Sequence, residues 1–410
     1  MINSSKRYEI TFFGIIAFSF CLWAVLFFIN PQGNQQYVFF AGCRDFFADF
    51  FNVLRYIDGR NPYFTTVGSA GEHAYPAVAY LLLYPFTVFN DYTHMTLQDC
   101  WHSVPALMSA FLYMLALCFL LFHSLLVLKN ELNERYDDNK INSLSVWAVV
   151  MTNVFLCSIE RGNIIILSAV FLNYFLAFYD SKNKFKRIFA AFAVAMAASI
   201  KVYPVIFGFL YFEKKQWKEI LYAFIFGIVL TFPPFFFFEH GIVGFLQLLK
   251  NVGIQSKSMS YMGGLNYLFG FAGLAYRFSA KLGISENSCM LMKSLCTVFL
   301  RLLSVYSIFL SLRTKDIFMR VCLTVFAVIF FPANSGFYQA LYLFPLLLFY
   351  FVTLEKRSKS LNLLLLILFT LIFIPLQPGI YKSLPLNYEI TNFSCFAMWL
   401  TVLYKVTVHT

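Results

Sequence analysis

The chain has 410 residues, 60% of them hydrophobic and only 12% charged, with a formal net charge of +11. Soluble domains carry about 25% charged residues, so this composition excludes an ordinary water-soluble globular protein. The basic balance does not signal nucleic-acid binding either, because Lys and Arg fall in short clusters between apolar blocks, as the positive-inside rule describes for membrane proteins.

In chain order, the first apolar block runs from Ile10 to Asn30 behind Lys6 and Arg7. No convincing small-x-small cleavage site precedes Pro31, so the block reads as a retained first helix with a cytoplasmic N-terminus. Residues 31–103 form a long first outer loop, interrupted by the stretch Val78–Phe89. That stretch is too short to cross a hydrocarbon core of about 30 Å and is expected to be re-entrant or interfacial. Apolar blocks follow near 104–128, 144–159, 164–179, 188–200, 202–212 and 220–238. A moderately polar outer segment, 239–289, is expected to hold an amphipathic helix on the membrane surface. The last blocks lie near 290–312, 317–332, 338–353, 361–376 and 391–406.

Placing residue 1 inside also puts Lys182/Lys184/Lys186/Arg187, Lys214/Lys215/Lys218, Arg313/Lys315 and Lys356/Arg357/Lys359 inside. The expected fold is therefore an all-α polytopic membrane protein, a single integral membrane domain over residues 1–410. It is a bundle of about 10–12 transmembrane helices with a long first outer loop. There is no internal repeat, which disfavours a transporter built of repeated halves. The nine Cys include no CxxC pair. Most sit in apolar blocks as small hydrophobes, and a disulfide among Cys43, Cys100 and Cys289 stays open.

Candidate chemistry gathers in the outer turns. Asp45, Asp49 and Asp58 alternate with Arg44, Arg55 and Arg60 just after the first helix. A carboxylate at a membrane interface near Arg can serve as a general base, whereas the bland reading is a solvated, self-paired interfacial helix. If the segment is helical, Asp45 and Asp49 share one face. Glu160-Arg161-Gly162-Asn163 and Lys201-Val202-Tyr203-Pro204 sit at two further outer turns, where cations either grip a phosphate or cap helix ends. No His, Cys or carboxylate spacing suggests a metal, and no cofactor motif is present.

The ordered set Asp45, Gly59, Asn61-Pro62-Tyr63, Tyr75-Pro76, Tyr84-Pro85, Arg161-Gly162-Asn163, Lys201-Val202-Tyr203-Pro204 and Gln255-Ser256 resembles the C-superfamily glycosyltransferases that use polyprenyl-phosphate sugars. It is most similar to the family of the mycobacterial polyprenyl-phosphate-mannose-dependent mannosyltransferases. Size and topology also resemble the glucosyltransferases that modify O-antigen in lipopolysaccharide. Ala77 stands where a second Pro is common, and Asn334 to Gln339 lacks a His often found there, with Tyr338 or Gln339 in its place.

The resemblance implies an inverting hexosyltransferase in the bacterial inner membrane, active at the periplasmic face. Its donor would be a polyprenyl-phosphate sugar and its acceptor an envelope glycan or glycolipid, with no cofactor and no nucleic acid. It implies Asp45, or Asp49, as the catalytic carboxylate, Arg161, Lys201 and Arg55 around the donor phosphate, and Asn163, Tyr203, Tyr75, Gln255 and Tyr338 around the substrates. A polysaccharide polymerase or ligase and a lipid-linked sugar flippase are the alternatives.

Overall fold

The computed structural model describes residues 4–30, 38–39, 46–68, 72–136, 140–261, 268–332, 336–375 and 386–409. Among these there are helices and turns and no strand, the arrangement that satisfies every backbone polar group without water. Three short helices follow α1 (Ser4–Ile29): α2 (Ala48–Ile57), α3 (Ala77–Leu83) and α4 (Leu97–His102). Then come α5 (Val104–Arg135), α6 (Leu144–Val149), α7 (Asn153–Arg161), α8 (Ile165–Phe178), α9 (Lys184–Ile200), α10 (Leu210–Glu213) and α11 (Trp217–Thr231). The 239–289 segment holds α12 (Val243–Tyr261) and α13 (Phe271–Lys281), before α14 (Glu286–Arg313), α15 (Ile317–Phe330), α16 (Phe344–Val352), α17 (Lys359–Phe373) and α18 (Leu386–His409).

Among the described residues, four helices are long and apolar enough to cross a membrane: Lys6–Ile29, Val104–Arg135, Trp217–Phe237 and Glu286–Arg313. Shorter apolar helices fill the remaining blocks, among them Ile165–Phe178, Ile317–Phe330, Phe337–Val352 and Lys359–Phe373. The chain is an all-α polytopic membrane protein. Several blocks are broken for local reasons. The 144–159 block splits at Thr152, whose hydroxyl caps α7 by accepting from Phe155 N–H. Pro204 opens a 3₁₀ segment, Tyr203–Phe209, ahead of α10, and Pro233-Pro234 turn the end of α11 into another. The Val78–Phe89 stretch is α3 followed by the 3₁₀ segment Tyr84–Phe89.

α16 is buried at every residue and α15 from Phe318 onward, so these two largely apolar helices occupy the centre. α9 packs on α8 and α11, presenting Ala190, Ala191, Ala193 and Ala197 as small residues that permit close approach. α11 instead exposes Leu221, Phe224, Ile225 and Val229 to the surroundings, as a lipid-facing helix should. Cys100 and Cys289 are free and buried; Cys43 lies outside the described residues.

Ion pairs collect at one end of the bundle. Lys186 and Arg135 meet Glu131, Arg187 meets Glu219 at 2.8 Å, Lys214 meets Asp180 at 3.0 Å, and Arg320 meets Glu213 at 3.0 Å. Glu9 belongs to this end and is fully buried. Its carboxylate accepts from Asn142 N–H at 2.9 Å and from the Ser145 N–H and hydroxyl at 3.1 and 2.6 Å, stapling α1 to the start of α6. Glu9→Ala strands these buried donors and should destabilise the purified protein by about 1–3 kcal/mol. Thermal unfolding in detergent measures the loss; a wild-type transition temperature would show that the staple carries no stability.

Candidate active site

The opposite end is organised by a close helix crossing. α2 starts from Phe47, a left-handed residue (φ 55) whose N–H donates to Glu160 O at 2.6 Å. α7 stops at Gly162, also left-handed (φ 62), where an added Cβ would lie 2.9 Å from Phe50 Cβ. A side chain there would be both strained and colliding, so glycine lets the first turn of α2 press against the last turn of α7. The crossing sets Asp49 opposite Arg161 and Asn163. Arg161 Nη2 donates to Asp49 Oδ1, and Asn163 Nδ2 donates to Asp49 Oδ2 at 2.6 Å. Asn163 is itself held, because its Oδ1 accepts from Ile165 N–H at 2.9 Å, which aims its amide at Asp49 and at the Tyr75 hydroxyl (3.4 Å).

Lys201 ends α9 in an extended conformation, immediately before the 3₁₀ segment of Pro204. Its ammonium lies 4.1 Å from the centroid of the Tyr75 ring and 5.9 Å from that of Tyr338, contacts worth about 0.5–2 kcal/mol each depending on desolvation. Tyr338 folds back over Gly336, where a Cβ would come within 2.4 Å of the ring. Tyr203 stands edge-on to Tyr342 at 6.1 Å. Asp49, Arg161, Lys201, Tyr75, Tyr203 and Tyr338 line a cavity of about 760 Å³. Another part of the lining, an apolar wall, is built from Phe235 in the 3₁₀ segment after α11 and from Phe245, Leu248, Leu249 and Val252 along α12. Leu249 and Val252 are also exposed on the outside of the bundle, so the apolar wall reaches its surface.

The structure thus brings Asp49, Arg161, Lys201, Tyr75, Tyr203, Tyr338 and Gln255 to one cavity, with Asn163 behind Asp49. It does not bring Arg55 there. Arg55 was expected beside the donor phosphate, but its Nε donates to Met95 O at 2.7 Å and its Nη1 to Asn52 Oδ1 at 3.1 Å, tying α2 to the 92–95 turn. Asp45 lies outside the described residues. Asp58 is a turn residue, accepting from Thr93 N–H at 3.1 Å.

Lining residues that were not anticipated include Asn52, Tyr56 and Glu72. Asn52 and Tyr56 follow Asp49 at i+3 and i+7, one face of α2, a signal present in the sequence once a helix starting at Ala48 is assumed. Glu72 had no such signal. It receives the Tyr56 hydroxyl hydrogen bond. Burial first, and then the Glu72 carboxylate, push the Tyr56 phenol above the usual tyrosine range, so it stays a donor. Next to it, burial pushes the His73 imidazole below its ordinary value. Asn251 of α12 donates to Tyr63 O at 3.2 Å and His73 O at 3.1 Å, clamping the first outer loop to the apolar wall.

No curated protein and no solved structure matches the chain. The family model of glycosyltransferase family 87 matches residues 73–333, more than half of the chain. The matched stretch contains Tyr75, Arg161, Asn163, Lys201, Tyr203 and Gln255, while α2 with Asp49 precedes it and Tyr338 follows it. Family 87 consists of membrane glycosyltransferases of the C-superfamily type. The chain belongs to glycosyltransferase family 87 and is a membrane-embedded glycosyltransferase.

Proposed function

We propose that this enzyme moves a hexose, with inversion, from a polyprenyl-phosphate sugar to an envelope glycan or glycolipid at the outer face of the bacterial cytoplasmic membrane. The observation that carries this reading is the divided lining of the cavity, with Arg161 and Lys201 in one part and the apolar wall of Phe235 and α12 in another. A lipid-phosphate sugar divides the same way, into an anionic linkage and a hydrocarbon chain. As the bond between the anomeric carbon and the phosphate oxygen breaks, its electron pair passes to the leaving polyprenyl phosphate, which becomes a monoester with added negative charge. Cations fixed before reaction stabilise that charge most where water is scarce. Arg161 supplies a planar fork for it, and Lys201, pressed between tyrosine rings, a point charge.

The acceptor hydroxyl attacks the anomeric carbon from the side opposite the phosphate, losing its proton to a carboxylate. We assign that proton to Asp45. Both carboxylate oxygens of Asp49 are engaged, one by Arg161 and one by Asn163, which suits it to hold Arg161 in place until a phosphate competes for the guanidinium. Tyr75, Tyr203, Tyr338 and Gln255 then surround the sugar, offering aromatic faces and hydrogen-bonding groups. The ion-paired end of the bundle is cytoplasmic in this reading, in keeping with its basic clusters, and residues 1–410 act as one integral membrane domain.

Sugar transfer assayed in detergent tests the division of roles. Asp45→Asn should cost about 10²–10⁴-fold in rate, the usual range for a lost general base, at unchanged protein level. Asp49→Asn should cost about tenfold and raise the KM for the donor, since it frees Arg161 from its charge-assisted anchor. The reverse order would exchange the two roles, and full activity in both variants would remove the base from this loop.

Orientation has its own check, by single cysteines at positions 184, 215 and 356. All three should react with a membrane-impermeant maleimide only after the cytoplasmic side is exposed. Labelling of two of them from outside would invert the bundle.

A further inference from the structure

A second cavity, of about 700 Å³, opens at the ion-paired end of the bundle. It is closed by the α14–α15 turn, the α16–α17 turn and the C-terminal part of α18. Arg313, Lys315, Lys356 and Lys405 line it, drawn from three stretches far apart in sequence. The two other charged lining groups are already committed. Asp316 caps α15, its Oδ1 accepting from Phe318 N–H at 2.8 Å and Met319 N–H at 3.3 Å, and its Oδ2 stands 4.0 Å from Arg357. Arg357 donates to Asn362 Oδ1, Thr353 Oγ1 and Tyr350 O at 2.9–3.1 Å.

The four remaining cations have no carboxylate partner among the described residues. Two rest on aromatic rings, Arg313 over Phe309 at 4.2 Å and Lys356 over Tyr136 at 5.0 Å. The side chains of Lys315 and Lys405 make no hydrogen bond or ion pair among the described residues. Elsewhere at this end Arg135, Lys186, Arg187, Lys214 and Arg320 each meet a carboxylate. Positive-inside bias accounts for cations at this end, yet not for four unneutralised ones converging on a single concavity.

We propose that this cavity binds a phosphate-bearing anion, held by Lys315 and Lys405 with Arg313 and Lys356 at its rim. Its place favours the headgroup of an anionic phospholipid in the adjoining leaflet. Tyr404 (65% exposed) and Val408 (58% exposed) flank Lys405 on α18 and offer apolar surface for acyl chains, and Met319, Leu361 and Val406 form an apolar floor. Basic pockets between transmembrane helices suit such headgroups, each Lys or Arg near the surface contributing about 1 kcal/mol. The site is separate from the sugar-transfer cavity and does not depend on how that cavity works.

The test uses the full-length protein in detergent, with two probes: phosphatidylglycerol against phosphatidylcholine, read as lipid retained in native mass spectrometry, and inorganic phosphate, read as a rise in unfolding temperature. Wild type should retain phosphatidylglycerol in preference to phosphatidylcholine. K315E/K405E should lose that preference at least about tenfold, as removal of two headgroup contacts implies. K184E/K218E reverses two exposed lysines at the same end outside the cavity and should bind as wild type. If the reversal does not fold, K315Q/K405Q should show an intermediate loss. Should inorganic phosphate stabilise wild type but not K315E/K405E while phosphatidylglycerol is ignored, the site stands and its ligand is a soluble phosphate. Equal binding of both probes by all variants, or an equal loss in K184E/K218E, would overturn the proposal.

Discussion

A charge inside hydrocarbon costs several kcal/mol unless it is paired or reaches water, and this chain is arranged around that cost. Its middle layer is aliphatic and aromatic, with α15 and α16 buried almost without interruption. Its charges stand at two ends. At one, short helix-to-helix links such as Arg187–Glu219 and Arg320–Glu213 close the turns between apolar helices. At the other, Asp49, Glu72, Arg161 and Lys201 meet at the 760 Å³ cavity, while charges such as Arg55, Asp58 and the Arg277–Glu389 pair hold the surrounding segments together.

The same cost explains why the cavity's polar wall is so firmly built. Arg161 and Asp49 have little exposure, at 11% and 17% of their side chains, and each would be expensive to leave alone. Asn163 completes the set, and its own orientation is fixed by the first turn of α8. Lys201 has no carboxylate bound to it in this network and is surrounded by tyrosine faces instead, which compensate a cation only partly. Lys201, compensated by π-faces, gains from an incoming anion. Glycosyl transfer from a lipid phosphate creates such an anion at the moment of bond breaking.

Much of the fold was legible because membrane helices announce themselves by apolar length. The observed helices fall within a few residues of the blocks at 164–179, 290–312 and 361–376, α5 runs seven residues past the 104–128 block, and the 239–289 segment contains a long helix. What length could not reveal were interruptions: the Thr152 break between α6 and α7 and the 3₁₀ stretches at Pro204 and Pro233-Pro234 depend on capping and proline geometry inside continuous apolar runs. In the site, residues next to a helix end and a glycine or proline were readable, as with Arg161, Asn163, Lys201 and Tyr75. Arg55 misled because its charge and position suit a phosphate, whereas its guanidinium is claimed by the Met95 carbonyl forty residues on. Glu72 went unseen for the complementary reason: only the folded path of the first outer loop carries it to Tyr56.

The account stands on the donor being a sugar held by a lipid phosphate, which the apolar wall beside Arg161 and Lys201 is suited to receive. The most direct measurement supplies the detergent-purified enzyme and an envelope acceptor with either a polyprenyl-phosphate hexose or the corresponding nucleotide sugar as sole donor. Transfer of the hexose from the lipid donor alone, without a sealed membrane, is the result predicted. Transfer from the nucleotide sugar alone, or movement of the lipid-linked sugar across sealed vesicles with no glycosidic product, would contradict it.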